Sequence, residues 1–205
     1  MEDNARNNQE DTTPVPKTLK AKEYHERFYL VRSLKAIEQI NSQPVTIFVC
    51  GPSEKSNPLT TKKNATIDEL RRLGHDANSG EELVMELESL DAGTKRTVNV
   101  YENIAAAQAE LIIIFCASPG SIGETHEFLN IPEIARKTLV FIEKKHRGSY
   151  TTEGILEMHR RVNGLVEDYE QEDVISCQLL SRVIEWVRDY QSTKWMSKHD
   201  LLEGY

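Results

Sequence analysis

The chain of 205 residues reads as an α/β fold, a mainly parallel sheet between two layers of helix with further helices at both ends, on three observations. Short β-branched and apolar runs, too brief for helices, recur along it. They alternate with stretches of helical periodicity, a pattern that defines a parallel sheet covered on both faces and joined by right-handed crossovers. The run Leu111-Ile112-Ile113-Ile114-Phe115-Cys116 holds no polar residue but its terminal thiol, as a strand buried on both faces requires.

The elements follow in order. Residues 1–17 have almost no large apolar side chain and are expected to form a disordered polar tail, because such a segment cannot offset the entropy of being ordered. Residues 18–205 have the length of a single domain. From Leu19 to Ile40, apolar positions at Tyr24, Phe28, Leu30, Val31, Leu34 and Ile37 predict an amphipathic helix that Asn41 and Pro44 end. The run Pro44 to Cys50 is the first strand. A polar loop over Gly51 to Asn64 leads to helical patterns at Ile67–Leu73, Glu81–Leu90 and Tyr101–Ala109. After the strand Leu111–Cys116 a helix starts near Ser121, then a strand over Thr138–Ile142, a short strand at Leu165-Val166, and a long helix over Val174–Trp195. The sum is a three-layer sandwich of the Rossmann-like or flavodoxin-like kind.

Composition excludes several classes of function. A net charge of −8 speaks against a surface that tracks a nucleic-acid backbone, and leaves room for a free nucleotide held by a few local groups. Cys50, Cys116 and Cys177 are odd in number and have no C-x-x-C spacing, which predicts three buried thiols in a reducing, cytoplasmic setting. No apolar run approaches the ~18 residues of a membrane span, and the N-terminus has no signal-peptide pattern. His25, His75, His159 and His199 lack ligand spacing, so neither a metal nor a cofactor is expected.

Ligands of parallel sheets sit where strand carboxyl ends meet loops, which selects Gly51–Lys63, Ala117–Glu124 and Glu143–Thr152. In Ser118-Pro119-Gly120-Ser121-Ile122-Gly123-Glu124-Thr125-His126-Glu127, small residues permit a sharp strand-to-helix turn and a close ligand. Ser121 and Glu124 also have the spacing of a capping box, a purely structural reading. Against it, a carboxylate at this edge faces the expected crevice. Lys62, Lys63, Lys145 and Arg147 supply point charges for phosphate, or belong to ordinary solvated loops. Trp186 and Trp195 fall in the last predicted helix and read as core or interface groups.

The segment Gly120-Ser121-Ile122-Gly123-Glu124-Thr125-His126 resembles the G-T/S-x-x-E-x-G stretch of the nucleoside 2-deoxyribosyltransferase-like superfamily, and Val45 to Pro52 resembles that family's opening strand. Within it, Ser118, Pro119, Gly120, Ser121, Glu124 and Phe128 match the S-P-G-S-x-A-E-L-G-x-F segment of retron-associated antiphage effectors. Gly123 and His126 stand where those proteins have alanine and glycine. The same residues are more distantly similar to the P-G-G-x-G-T-x-x-E motif of the SLOG-type, Lonely Guy-like nucleotide hydrolases, which would place the acid at Glu127.

The first resemblance implies an N-glycosidase or glycosyl-transfer enzyme acting on a nucleotide or NAD-like molecule, as a toxic effector in antiphage defence. Glu124 would be the catalytic nucleophile, with Gly51, Pro52, Ser53, Ser118, Gly120, Ser121, Gly123 and His126 around the substrate. The acid that protonates the base would be His126, Glu127 or a group from another loop. It also implies homo-oligomers, for which Tyr24, Phe28, Leu179, Leu180, Ile184 and Trp186 supply apolar surface, and a defence partner such as a reverse transcriptase with its RNA and DNA. The alternative is a noncatalytic nucleotide-sensing or interaction subunit.

Overall fold

The computed structural model describes residues 17–90, 97–117, 119–146, 148, 150–162 and 164–199. The expected polar tail falls outside them except for Lys17. The chain divides into two compact units, residues 1–39 and 40–205. The first contains most of helix α1 (Lys17–Asn41), on which Phe28, Tyr29, Leu30, Val31, Leu34 and Ile37 are each more than half exposed.

The second unit is built on five parallel strands in the order β2-β1-β3-β4-β5. They are β1 (Thr46–Cys50), β2 (Asp76–Ser79), β3 (Leu111–Cys116), β4 (Thr138–Glu143) and β5 (Leu165–Tyr169). The helices are α2 (Pro58–Arg72), α3 (Gly80–Leu90), α4 (Val98–Gln108), α5 (Pro119–Leu129), α6 (Pro132–Ala135), α7 (Tyr150–Arg161), α8 (Gln171–Ile175) and α9 (Gln178–Lys198). This is the expected α/β sandwich, in its flavodoxin-like order.

Strand β3 lies between β1 and β4, and all six of its side chains are buried. Side chains alternate between faces along a strand. Ile113 and Phe115 join Val45, Ile47, Val49 and Phe141 beneath α2, α8 and α9. Ile112, Ile114 and Cys116 join Phe48 and Val140 beneath α4, α5 and α6. Each buried Ile or Phe contributes about 1.5–3 kcal/mol, so the central strands anchor both layers. Phe115 stacks on Phe141 at 5.3 Å, and Phe48 meets Phe128 edge-on at 6.0 Å, which ties α5 to β1.

Several expectations are corrected. The strand β2 was not foreseen: its residues Asp76-Ala77-Asn78-Ser79 have no apolar run, and their pairing with β1 at the sheet edge makes them a strand. Helix α2 begins at Pro58, well before Ile67, because the Asn57 side chain accepts a hydrogen bond from the Leu59 amide at 3.0 Å and Pro58 occupies the first turn. The first loop is therefore Gly51–Asn57, and Lys62 and Lys63 lie on a helix. The long C-terminal helix is two, broken at Ser176-Cys177, which leaves Cys177 exposed while Cys50 and Cys116 are buried as expected. Leu179, Val183 and Val187 of α9 are buried within the domain and Trp186 packs against the same cluster, so these apolar positions of the last helix are spent on its own core. No described helix is long and apolar enough to cross a membrane.

Candidate active site

The strand order reverses between β1 and β3, so the connections leaving these two neighbours diverge and open a crevice at their carboxyl ends. Two segments expected to carry function leave the sheet there: the loop after β1 and the start of α5. The loop is held close to the sheet. A Cβ added at Gly51 would stand 3.0 Å from Phe115 Cβ and 3.3 Å from the Phe115 carbonyl oxygen, so only glycine lets β1 leave over β3. The buried Thr60 hydroxyl of α2 donates to the carbonyl oxygens of Pro52 at 3.1 Å and Glu54 at 2.7 Å, which fixes the loop's path.

Helix α5 begins two residues earlier than Ser121, and this changes the reading of that residue. Ser121 is not a cap in front of the helix: it sits inside the first turn, 2% exposed, and its hydroxyl accepts the Ala117 amide at 3.0 Å. Thr125 donates its hydroxyl to the Ser121 carbonyl one turn on. The serine thus ties the helix start to the end of β3. Gly123 is exposed, and a Cβ there would meet nothing within 4 Å. Glu124 lies in the second turn of α5, three residues before Glu127; its side chain, with Ser118 and Arg147, lies outside what is described. His126 is half-buried further along the helix.

Two cavities flank the β1 loop. One, of 380 Å³, is lined by Cys50, Gly51, Ser53, Glu81, Val84 and Glu102 among others. The other, of 390 Å³, lies toward β4 and β5 and is lined by Glu54, Asn57, Ala117, Glu143, Lys145 and Tyr169 among others. The candidate residues Gly51 and Ser53 therefore belong to the first cavity and Lys145 to the second, where its ammonium pairs with Glu143 at 2.7 Å. Burial, with the Glu143 carboxylate and Cys116 adding to it, pushes the Tyr169 phenol above its ordinary range and keeps it neutral. Lys62 donates to the Ser176 carbonyl and joins α2 to the end of α8. Lys63 is buried and paired with Glu81 at 3.0 Å, behind Gly51.

The first cavity is lined by two carboxyl groups that the sequence did not single out, Glu81 and Glu102. Burial works against the charge of Glu81, but its own backbone amide and Lys63 outweigh it and hold the carboxyl below the usual range. Glu127 on α5 accepts hydrogen bonds from Asn103 at 3.0 Å and Asn99 at 3.3 Å, both on α4. Glu102 has no hydrogen bond or ion pair among the described residues. Burial, then the carboxylates of Glu127 and Glu81, raise its affinity for a proton above that of an ordinary glutamate. Glu81 and Glu102 are unremarkable helix glutamates in sequence; they meet only because α3 packs on α4.

A parallel α/β protein with two cavities beside the loop that leaves β1 is the class that the fold and the site define. The sequence model of the STM3845 retron effector protein family matches residues 60–203, and the chain belongs to that family. Among curated proteins nothing matches. Of solved structures, the Clostridium botulinum CMP N-glycosidase BcmB is similar at 14% identity, over 68% of this chain and 98% of that one, with a TM-score of 0.39. A likeness of that size carries no information on activity.

Proposed function

We propose that the protein is an N-glycosidase or glycosyl-transfer enzyme that cleaves the base–sugar bond of a nucleotide, NAD or a deoxynucleotide, and acts in the cytoplasm as a toxic effector of antiphage defence. The observation that carries this reading is the Gly51 loop at the switch point of the sheet, which borders a cavity of 380 Å³, with α5 starting from the neighbouring strand β3. Membership of a retron effector family supports the defence setting.

In this reading Glu124 is the nucleophile. Cleavage of a ribosyl–base bond passes through an oxocarbenium-like state, and a carboxylate beneath the sugar either stabilises that charge or bonds to the anomeric carbon. Gly51, Pro52 and Ser53 border the sugar from one side, and Ser118, Gly120, Ser121, Gly123 and His126 belong to the segment on the other. Lys145 and Arg147 follow β4, where a phosphate would reach the second cavity, while Lys63 is engaged by Glu81 and Lys62 by the backbone. Assembly with further copies of the chain belongs to the same proposal and is favoured by the exposed apolar residues of α1.

The test is mass-spectrometric product analysis after incubating wild type and Glu124→Gln with NAD, NADP, nucleosides and nucleotides, with circular dichroism to verify folding. Free base from wild type alone is the expected result. Tight nucleotide binding by both proteins with no cleavage would replace the enzyme by a nucleotide sensor.

A further inference from the structure

Charge and uncovered apolar surface are both unevenly spread along this chain. Helix α1 carries six lysines and arginines against three glutamates, in a chain of net charge −8. Its residues Leu30, Leu34 and Ile37 recur at i, i+4 and i+7, so they share one face, and each is more than half exposed. Helices α3 and α4 have the opposite charge: four glutamates on the first, one on the second and no basic residue on either. On α3, Leu83, Leu87 and Leu90 repeat the same i, i+4, i+7 spacing and line a groove of 390 Å³ that reaches Ala105 of α4 and Phe48 of β1. Glu81 and Glu82 are paired with Lys63 and Arg71 inside the domain. Glu86 and Asp76, which line the groove, have no cationic partner among the described residues.

We propose that the groove between α3 and α4 receives helix α1 of a second copy of this chain, in a dimer to which each copy gives one helix and one groove. The inference rests on the assembly part of the proposed function and names the receiving face. Two apolar rows of equal spacing, each about 10 Å long, fit as a ridge against a groove. Pairing α1 with another α1 would set net positive charge against net positive charge, whereas α1 against α3 sets opposite charges together. The tether favours a second copy over the chain's own groove. The carbonyl oxygens of Asn41, where α1 ends, and of Gln43 accept hydrogen bonds from the Gln191 side chain of α9 at 3.4 and 2.7 Å. Helix α9 covers one face of the sheet, and Leu83 and Leu87 of α3 pack on the other.

The groove shares its walls with the cavity beside Gly51. Helix α3 gives Glu81 and Val84 to the cavity and Leu83 and Leu87 to the groove, and α4 gives Glu102 to the one and Ala105 to the other. A helix seated in the groove therefore braces the two helices that wall the cavity, and assembly bears on the site without lending it a residue.

Sedimentation equilibrium of the full chain, over a series of protein and sodium chloride concentrations, tests the docking. The expected result is a monomer–dimer equilibrium whose dissociation constant rises with salt, because screening weakens attraction between opposite charges. A chain that stays monomeric, or a dimer that tightens with salt, overturns the inference. Leu34→Glu changes an exposed side chain and is expected to weaken the dimer at least about tenfold; an undiminished dimer overturns the inference as well. The contact is mapped in a Cys177→Ser background, where chains carrying Leu34→Cys are mixed with chains carrying Leu90→Cys under mild oxidation. A disulfide between unlike chains is expected. A disulfide between two Leu34→Cys chains shows α1 against α1, and one inside a single chain carrying both substitutions shows α1 in its own groove. Either result overturns the inference, as does the absence of any disulfide. Base release is measured on the same wild-type samples: a monomer that cleaves nucleotides sinks the docking and leaves the glycosidase reading standing, whereas a dimer that gives the unlike disulfide and releases no base does the reverse.

Discussion

At Gly51 and Gly123 the same residue type is used for opposite reasons. Gly51 has no room: a methyl there would press on Phe115, and relief would move either β3 or the loop. Gly51→Ala is expected to cost about 1–3 kcal/mol in urea unfolding, the usual penalty of overpacking, and to lower ligand affinity with it. Gly123 has open space and sits in a helix, where alanine is favoured by about 0.5–1 kcal/mol. Gly123→Ala should therefore unfold at higher urea than wild type. If substrate passes over this turn, the same variant should lose base-releasing activity, and unchanged activity would remove Gly123 from the substrate surface.

Among elements, α2 and α5 border the candidate site because each follows a crevice strand, α5 almost at once and α2 after the loop Gly51–Asn57. Asn57 caps α2 and borders the second cavity, while Thr60 in the same turn holds the Gly51 loop. Asn57→Ala is expected to destabilise the protein by about 0.5–2 kcal/mol, measured by urea unfolding. The start of α2 was hidden in the sequence because Lys63 occupies a buried position of its inward stripe, between Leu59 and Ile67, and so interrupts the apolar period. By contrast β3 was legible to the residue, since six apolar side chains between two neighbouring strands leave no choice of period to misread. Strand β2 is polar and takes its structure from β1, and α8 and α9 read as one helix because the two residues between them carry no proline or glycine. The site divides in the same way. Gly51, Ser53 and the turn into α5 announce themselves through glycine, proline and serine after apolar strands. Glu81 and Glu102 depend on helix packing, which no local pattern encodes.

For the molecule as a whole, one buried and one half-buried histidine set how folding responds to acid. His159 is fully buried at the end of α7, with Nε2 2.9 Å from the Leu165 carbonyl oxygen, and burial lowers its proton affinity. Burial does the same to His75. A histidine with a depressed folded pKa is neutral in both states at high pH; as pH falls through the unfolded value, the unfolded chain takes up protons that the folded one refuses. Stability is thus full above about pH 6.5 and declines as pH falls below it. The depressed carboxyl groups of Glu81, Glu82 and Glu110 act lower, their contribution being lost only as pH falls below the ordinary glutamate range. Glu102 acts in the opposite sense, since its raised pKa favours the fold at low pH and that contribution is lost as pH rises through the folded value. The urea midpoint is expected to fall on acidification from about pH 7.5 to about pH 5.5, with His159→Phe flattening the slope; a midpoint that stays level would show that neither histidine is held neutral.

The role given to Glu124 is tested most directly by trapping its bond to the sugar. Wild type and Glu124→Gln are incubated with 2′-fluoro-2′-deoxynucleotides, whose fluorine slows breakdown of a glycosyl ester, and their peptides are mapped by mass. A glycosyl adduct on the peptide containing Glu124, absent from the variant along with base release, is the expected result. Base release that continues undiminished in Glu124→Gln, with no adduct on that peptide in wild type, would contradict the account.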